Sequence, residues 1–304
     1  MKKTAVILLT FFVMIGVIYL KPVHRATFSD YYPQADAIES SLMEFRKLPL
    51  KSLSSGGATW QYLITGQGDR QLLFLHGMGG AYDIWWQQIE ELQPDFHIIS
   101  ITLPEVHDLN TAMEGILAIL DAEGFTKTSV LGTSMGGYLA QYLLSKHPER
   151  IDHLILGNTF APNDFYQKQY GGLRKWLPWV PAWMIMDKFR KNLHEGVLPA
   201  AHNDPVVEAY LKEQYSGLMT KKQFIGRVDL VLAHFDPAST DAQRSKPMLI
   251  IEADNDPLVN PDLQEGLRQC YPQASVVRLR DVGHFPYLNE PRPYTRIIRQ
   301  FLER

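Results

Sequence analysis

The sequence predicts an α/β fold with an inserted helical cap. Three observations predict it. Strand-length apolar runs alternate with helical patterns from about residue 59 onward. Runs such as 71–75 (QLLFL) and the His153-Leu-Ile-Leu156 stretch lack polar alternation, as strands covered on both faces do. The alternation stops after Asn158 and resumes at Pro247, and the stretch between is rich in aromatics, prolines and helical patterns.

Composition sets outer bounds. The chain has 304 residues, 45% hydrophobic and 21% charged, the make-up of an ordinary globular protein. A formal net charge of -3 and the lack of a long basic run exclude a nucleic-acid footprint. The single cysteine, Cys270, has no intramolecular partner for a disulfide and reads as a small buried hydrophobe. Four parts are expected: residues 1–26 as a membrane-targeting segment, 27–54 as an N-terminal extension, 55–158 with 245–304 as the core, and 159–244 as the cap.

The first part opens with Lys2 and Lys3, followed by seventeen uncharged residues from Thr4 to Leu20 and then Lys21-Pro22. Such a run is either a cleavable signal peptide or a signal anchor. As a helix it would be roughly 25 Å long, near the lower limit for a membrane span. The run is longer than most signal-peptide cores and no A-x-A site follows, so we read an anchor. Basic residues stand on both sides, so the positive-inside rule barely orients it. We place the globular part outside the cytoplasm, either membrane-anchored or, after cleavage, secreted or periplasmic.

Thr27 to Leu53 has a mild helical pattern (Ala35, Ile38, Leu42, Phe45) and reads as an extension packed on the core. Ser54-Ser-Gly-Gly57 reads as a turn or linker. Residues 59–64 alternate like a strand, and Thr65-Gly-Gln-Gly-Asp69 reads as the hairpin turn into the strand 71–75. His76-Gly77-Met78-Gly79-Gly80 follows at once. Small residues there suit a loop that donates a backbone N–H to an oxyanion, with Met78 N–H as the donor; a plain turn or a phosphate loop is the other reading, and no phosphate-loop motif is present. His76 reads as structural, since it precedes the loop it would orient. Helices are expected at 84–92 and from Asn110, as its cap, to about Glu123, with a strand at 96–102 between them. Gly124 closes the second helix. His107-Asp108 reads as a surface loop and not as a metal pair.

Thr128 to Leu131 reads as a buried strand and Tyr138 to Leu144 as a helix. Between them, Gly132-Thr-Ser134-Met-Gly136 matches G-x-S-x-G. A strand that turns sharply into a helix holds one side chain out at the tip, and glycines two before and two after remove Cβ clashes. Ser134 at that tip would be a nucleophile, with Met135 N–H as the second oxyanion donor. A plain strand–helix turn with a solvated serine would carry the same five residues. After the strand 152–158, the cap segment (Trp176-Leu-Pro-Trp179-Val-Pro-Ala-Trp183-Met-Ile-Met186) would line an apolar pocket, or touch a membrane surface. The strand 247–253 ends in Asp254-Asn-Asp256-Pro-Leu-Val259. An acid after a late strand orients a serine's histidine, and Asp256, in Asp-Pro-Leu-Val, is favoured over Asp254. A helix at 262–269 and a strand at 274–280 lead to Asp281-Val-Gly-His284. Of the ten histidines, His284 alone follows a late strand in the order Ser, Asp, His. A last helix covers 294–302.

Taken together, the glycine loop, the elbow, the cap-sized insertion, the late acid and the late histidine resemble the α/β-hydrolase superfamily over roughly residues 55 to 304. The resemblance implies a mostly parallel eight-stranded sheet flanked by helices. It implies Ser134 as nucleophile, His284 as base and then acid, Asp256 as its orienter, the Met78 and Met135 amides as oxyanion hole, and no metal or organic cofactor. Within the superfamily the chain looks most like the maspardin group. The similar pieces are Gly132-Thr-Ser-Met-Gly-Gly-Tyr-Leu-Ala-Gln141, the Trp/Pro/Met cap segment, Tyr271-Pro-Gln-Ala274 and Phe285-Pro-Tyr-Leu288. Ile101-Thr-Leu-Pro-Glu-Val-His107 shares with that group the lack of a D-x-x-G-x-G loop. Some members lack the triad histidine, which implies a non-catalytic binding protein as the alternative to a serine esterase. The presence of His284 favours catalysis on a small-molecule ester, with an apolar acyl group suggested by the cap. C–C, lactone and haloperoxidase-like chemistry use the same triad, and spacing does not separate them.

Overall fold

In the computed structural model, which describes residues 2–237 and 240–303, eight strands form one sheet in the order β1-β2-β4-β3-β5-β6-β7-β8. Met1 of the expected targeting segment and residues 238–239 of the expected cap lie outside the described residues. The strands are β1 (Lys51–Ser55), β2 (Ala58–Thr65), β3 (Arg70–Leu75), β4 (Phe96–Thr102), β5 (Thr128–Thr133), β6 (Ile151–Gly157), β7 (Met248–Ala253) and β8 (Ser275–Leu279). β3 to β8 run parallel, while β2 is antiparallel to β1 and β4. This is the mostly parallel eight-stranded sheet that the resemblance implies.

Before the sheet come α1 (Lys2–Leu20), α2 (Phe28–Tyr31) and α3 (Ala37–Phe45). α4 (Trp86–Leu92) links β3 to β4, α5 (Leu109–Ala122) links β4 to β5, and α6 (Met135–Lys146) links β5 to β6. Between β6 and β7 stand only helices: α7 (Phe165–Arg174), α8 (Ala182–Asn192), α9 (Leu198–Ala200), α10 (Pro205–Glu213), α11 (Lys221–Leu232) and α12 (Asp241–Arg244). α13 (Pro261–Cys270), α14 (Pro286–Asn289) and α15 (Pro291–Leu302) complete the chain.

Strand periodicity explains the two-sided core. Successive side chains of a strand point to opposite faces, so Leu72 and Phe74 of β3 enter one buried cluster and Leu73 and Leu75 the other. The first cluster gathers α4, α15, the cap and the N-terminal extension, including Phe28, Leu42, Trp86, Tyr210 and Ile298. The second gathers α5, α6 and α13, including Met113, Ile116, Leu139 and Leu267. Each aliphatic side chain so enclosed stabilises the fold by about 1.5–3 kcal/mol before its ordering entropy is counted. Packing is close enough to dictate residue size: a Cβ on Gly115 of α5 would stand 2.0 Å from the Trp60 indole.

Two expectations need correction. The segment 65–69 is not a hairpin turn, because β2 pairs with β1 and β4 and not with β3. Its glycines serve another need. A Cβ on Gly66 or Gly68 would come within 2.0 Å of the main-chain oxygens of Phe96 and Asp95, so this loop crosses the start of β4 at backbone contact. The hairpin lies one step earlier, at Gly56-Gly57, both with positive φ, between β1 and β2. The cap of α5 is Asp108, whose carboxylate accepts from Thr111 N–H, and not Asn110, which lies inside the helix and accepts from the Tyr142 hydroxyl. Among the described residues no helix is long and apolar enough to cross a membrane, so the structure lends the expected membrane segment at residues 1–26 no support.

Candidate active site

The predicted residues follow the C-terminal ends of β3, β5, β7 and β8, and the end of β6 lies among them. Ser134 sits between β5 and α6 with φ 52 and ψ -123, a left-handed conformation costly for a residue with a side chain. The strain is imposed by close approach. A Cβ on Gly132 would stand 2.2 Å from Gly136 O, and one on Gly136 would stand 2.0 Å from Leu75 O. Only glycine permits strand, helix and neighbouring strand to meet there, so the chain can turn with Ser134 at the tip. Ser134 N–H donates to Gly157 O at 3.0 Å, which fixes the turn against β6.

The glycine loop after β3 lies against this serine: a Cβ on Gly77 would be 3.1 Å from Ser134 Cβ. Met135, the first residue of α6, carries an N–H for which the helix has no acceptor. The peptide that presents Met78 N–H has its carbonyl, Gly77 O, held on the far side. It accepts from Gly80 N–H at 3.1 Å and from His76 Nδ1 at 2.7 Å. The tautomer follows from the other nitrogen, since His76 Nε2 accepts from Leu103 N–H at 3.0 Å and the proton must sit on Nδ1. Burial, aided by the nearby Arg227 cation, drives the His76 pKa down to about 3, so the ring is neutral. His76 is thus a neutral brace of the glycine loop.

Asp256 and His284 are joined in the interior, with His284 Nδ1 2.8 and 2.9 Å from the two carboxylate oxygens. Leu258 and Val259 N–H groups donate to one oxygen at 2.8 and 3.0 Å, and Asn158 Nδ2 donates to the other at 2.9 Å. Burial pushes the Asp256 carboxyl up, yet the imidazole and these hydrogen bonds together hold it below its ordinary 3.8. A carboxylate kept ionised there fixes the proton on Nδ1 and leaves Nε2 for proton transfer. Asp254 is engaged elsewhere, accepting from Asp281 N–H. Among the described residues, Ser134 Oγ and His284 Nε2 are not joined by a hydrogen bond; such bonds are often long before substrate binds.

Asn158 and Thr159 were not singled out from the sequence. They follow β6 directly, and Asn158 adopts a φ of 42. Its amide binds Asp256, while the Thr159 hydroxyl donates to Ser134 O at 2.6 Å. Two adjacent residues therefore tie the serine turn to the acid. A polar Asn-Thr pair closing an apolar strand was the available signal.

An open cleft lies at the other end of the sheet. A cavity of about 550 Å³ lined by Arg70, Lys127, Asp152 and His153 lies at the N-terminal ends of β3, β5 and β6. Ligands of open α/β sheets bind beyond the carboxyl ends of the strands, which is the side of the serine turn and not of this cleft.

Comparison with known proteins agrees with this fold. A family model described as alpha/beta hydrolase fold matches residues 71–291. The chain is 25% identical to maspardin of Mus musculus over 223 residues, which are 71% of this chain and 70% of that protein. It is 24% identical to a pimeloyl-[acyl-carrier protein] methyl ester esterase of Vibrio campbellii over 254 residues, 80% of this chain and 97% of the esterase. Among solved structures, a membrane phospholipase A described as a bacterial virulence factor superposes with a TM-score of 0.67 at 21% identity, covering 100% of this chain and 98% of its own.

Proposed function

Because this chain belongs to the α/β hydrolase fold family, we propose that it is a serine hydrolase acting on an ester or a related carbonyl. The observation that carries the reading is the strained Ser134 on its glycine-flanked turn, in a molecule that also buries a hydrogen-bonded Asp256–His284 pair. Ser134 Oγ attacks the carbonyl carbon as His284 Nε2 takes its proton. The Met78 and Met135 amides receive the negative charge that develops on the carbonyl oxygen. His284 then protonates the leaving alcohol, and the acyl group stays on Ser134. Water, deprotonated by the same imidazole, releases the acid and restores the serine. Asp256 keeps the imidazole in the useful tautomer and stabilises its protonated form throughout.

The substrate we propose is a small molecule with an apolar acyl group. The apolar cap supports this, and so do the acyl-ester names of the Vibrio esterase and the phospholipase A. We also propose that residues 1–26 attach the protein to a membrane with the globular part outside the cytoplasm. Support comes from the uncharged run Thr4–Leu20 and from its neighbours. Trp183 Nε1 donates to Ile18 O, Lys21 lies over the Trp183 ring, and Trp176 and Trp179 nearby in the chain are 67% and 70% exposed. Exposed tryptophans beside a terminal apolar helix suit a membrane interface. The mass of the mature N-terminal peptide tests this; a chain that starts after residue 26 means cleavage and a secreted or periplasmic protein.

Likeness to maspardin favours one second reading, a non-catalytic binding protein on the same fold. Two measurements separate the readings. A fluorophosphonate should label the folded protein at Ser134, and Ser134→Ala should abolish turnover of short p-nitrophenyl esters. An unlabelled serine, or turnover that survives the substitution, would overturn the hydrolase assignment.

A further inference from the structure

The cap sends a buried, unpaired cation into the oxyanion loop. Arg227, on α11, is 1% exposed, and its partners are neutral. One terminal nitrogen donates to Met78 O at 2.5 Å and Gly80 O at 3.1 Å and lies 3.3 Å from Met219 sulfur. The other donates to Leu103 O at 3.3 Å, and Nε has no partner. Burying a guanidinium without a carboxylate is costly. Burial lowers its pKa to about 10, which still leaves it protonated at neutral pH. An apolar side chain would fill the space at less cost, so the charge and its fork of donors have a use.

The surroundings show what that use is. A Cβ on Gly226 would stand 2.3 Å from Val106 O, so α11 rests on the loop after β4 at backbone contact. That closeness lets the next residue reach three carbonyls on two loops at once. The Met78 amide, the oxyanion donor of the proposed mechanism, lies between two carbonyls. His76 and Gly80 hold Gly77 O, and Arg227 holds Met78 O. His76 itself is braced by Leu103 N–H, and Leu103 O is the third acceptor of Arg227.

We propose that Arg227 is a positioning residue through which the cap sets the oxyanion hole. With α11 seated, the guanidinium turns the Met78 and Gly80 carbonyls away from the serine and leaves the Met78 N–H facing it. With α11 lifted, those bonds are lost and the loop is free to turn. Cap seating and transition-state stabilisation are therefore one event. This rests on the serine-hydrolase reading above.

The test uses the full chain and two variants, Arg227→Met and Arg227→Lys, with p-nitrophenyl butyrate and a fluorophosphonate. Loss of one oxyanion donor costs about 10²–10³ in rate; Arg227→Met, which only mispositions one, should lower kcat about 30- to 100-fold. KM should stay within about threefold, and the rate of fluorophosphonate labelling should fall in step with kcat, because the P=O group occupies the same hole. Arg227→Lys keeps the charge but not the fork, and should recover part of kcat, remaining about tenfold down. A purely structural role would lower Tm and leave kcat and the labelling rate untouched in the folded variant, which overturns the proposal. If Arg227→Met does not fold, Arg227→Lys decides alone: a kcat within about twofold of wild type overturns it, and a larger loss at unchanged KM supports it. Wild-type protein is the control. If it is not labelled at Ser134, the hydrolase reading fails and takes this inference with it; if it is labelled and the variants match it, only the role of Arg227 fails.

Discussion

At the scale of single residues, close approach of backbone to backbone shapes the turn that carries Ser134. Ser134 announces itself because its backbone geometry demands glycine at fixed offsets, and Asp256 and His284 follow because chain order restricts which loops reach the serine. Asn158, Thr159 and Arg227 act through main-chain carbonyls or another side chain, and such contacts leave no spacing to read. His76 lies between these cases, and its environment makes a prediction. Its pKa is about 3 in the fold against an ordinary 6.5. Between those values the unfolded chain binds the extra proton and the folded chain does not. Stability is therefore complete above pH 6.5 and is lost as pH falls toward 3. From pH 6.5 to 5 the loss attributable to His76 is about 2 kcal/mol, at 1.36 kcal/mol per pH unit. His76→Asn keeps a donor toward Gly77 O and removes the titration, so its stability should change less over that interval. Urea denaturation of both proteins at pH 6.5 and 5.0 measures it; parallel losses would show that His76 is not the group that titrates.

At the scale of elements, the strands from β2 onward and the longer helices outside the cap were legible in the sequence, because apolar period separates strand from helix in long segments, whereas the four-residue helices α2 and α14 were not. Pairing was harder. The loop 65–69 has hairpin composition, yet its glycines exist to pass Asp95 and Phe96 at backbone contact, which only the tertiary structure reveals. The start of α5 shows a subtler failure. Asp108 and Asn110 are both good caps by type, and choosing between them needs the backbone. Asp108 is extended (φ -145, ψ 156) and receives Thr111 N–H at 2.9 Å, the geometry of a true cap. Asp108→Ala should therefore cost about 1 kcal/mol of stability. Ester turnover should be unchanged, since the hydrogen bonds of the Asp108 carboxylate are to Thr111 of the same helix. Thermal denaturation with a parallel rate assay tests both halves, and an undiminished Tm would mean that the cap contributes nothing.

At the scale of the whole molecule, three regions of the chain converge on one set of charges. Arg46, just after α3, binds Asp83 through Nε at 2.7 Å and Glu213 at the end of α10 through its terminal nitrogens at 2.6 and 3.0 Å. The Tyr210 hydroxyl donates to the other Asp83 oxygen at 2.6 Å, and Phe28 N–H donates to Glu213 at 2.9 Å. The N-terminal extension, the segment after the oxyanion loop and the cap are thus held by one guanidinium between two buried carboxylates. Burial works against the Arg46 charge, but Asp83 and Glu213 raise its pKa overall, so the cation is secure. None of this was legible in the sequence, where Arg46, Asp83 and Glu213 are scattered charges without a motif. Replacing Arg46 by Met strands two carboxylates with only 6% and 5% of their side chains exposed. Breaking such a pair from one side costs about 3–5 kcal/mol, and the lower end applies here because Arg46 itself is 19% exposed. Adding Glu213→Gln to that variant removes one stranded charge, so about 1 kcal/mol should return even though another polar group has been lost. A chemical-denaturation cycle of wild type, both single variants and the double variant reads this directly. If Arg46→Met costs less than about 0.5 kcal/mol, the level of an ordinary surface change, the cluster does not join the extension and the cap to the core.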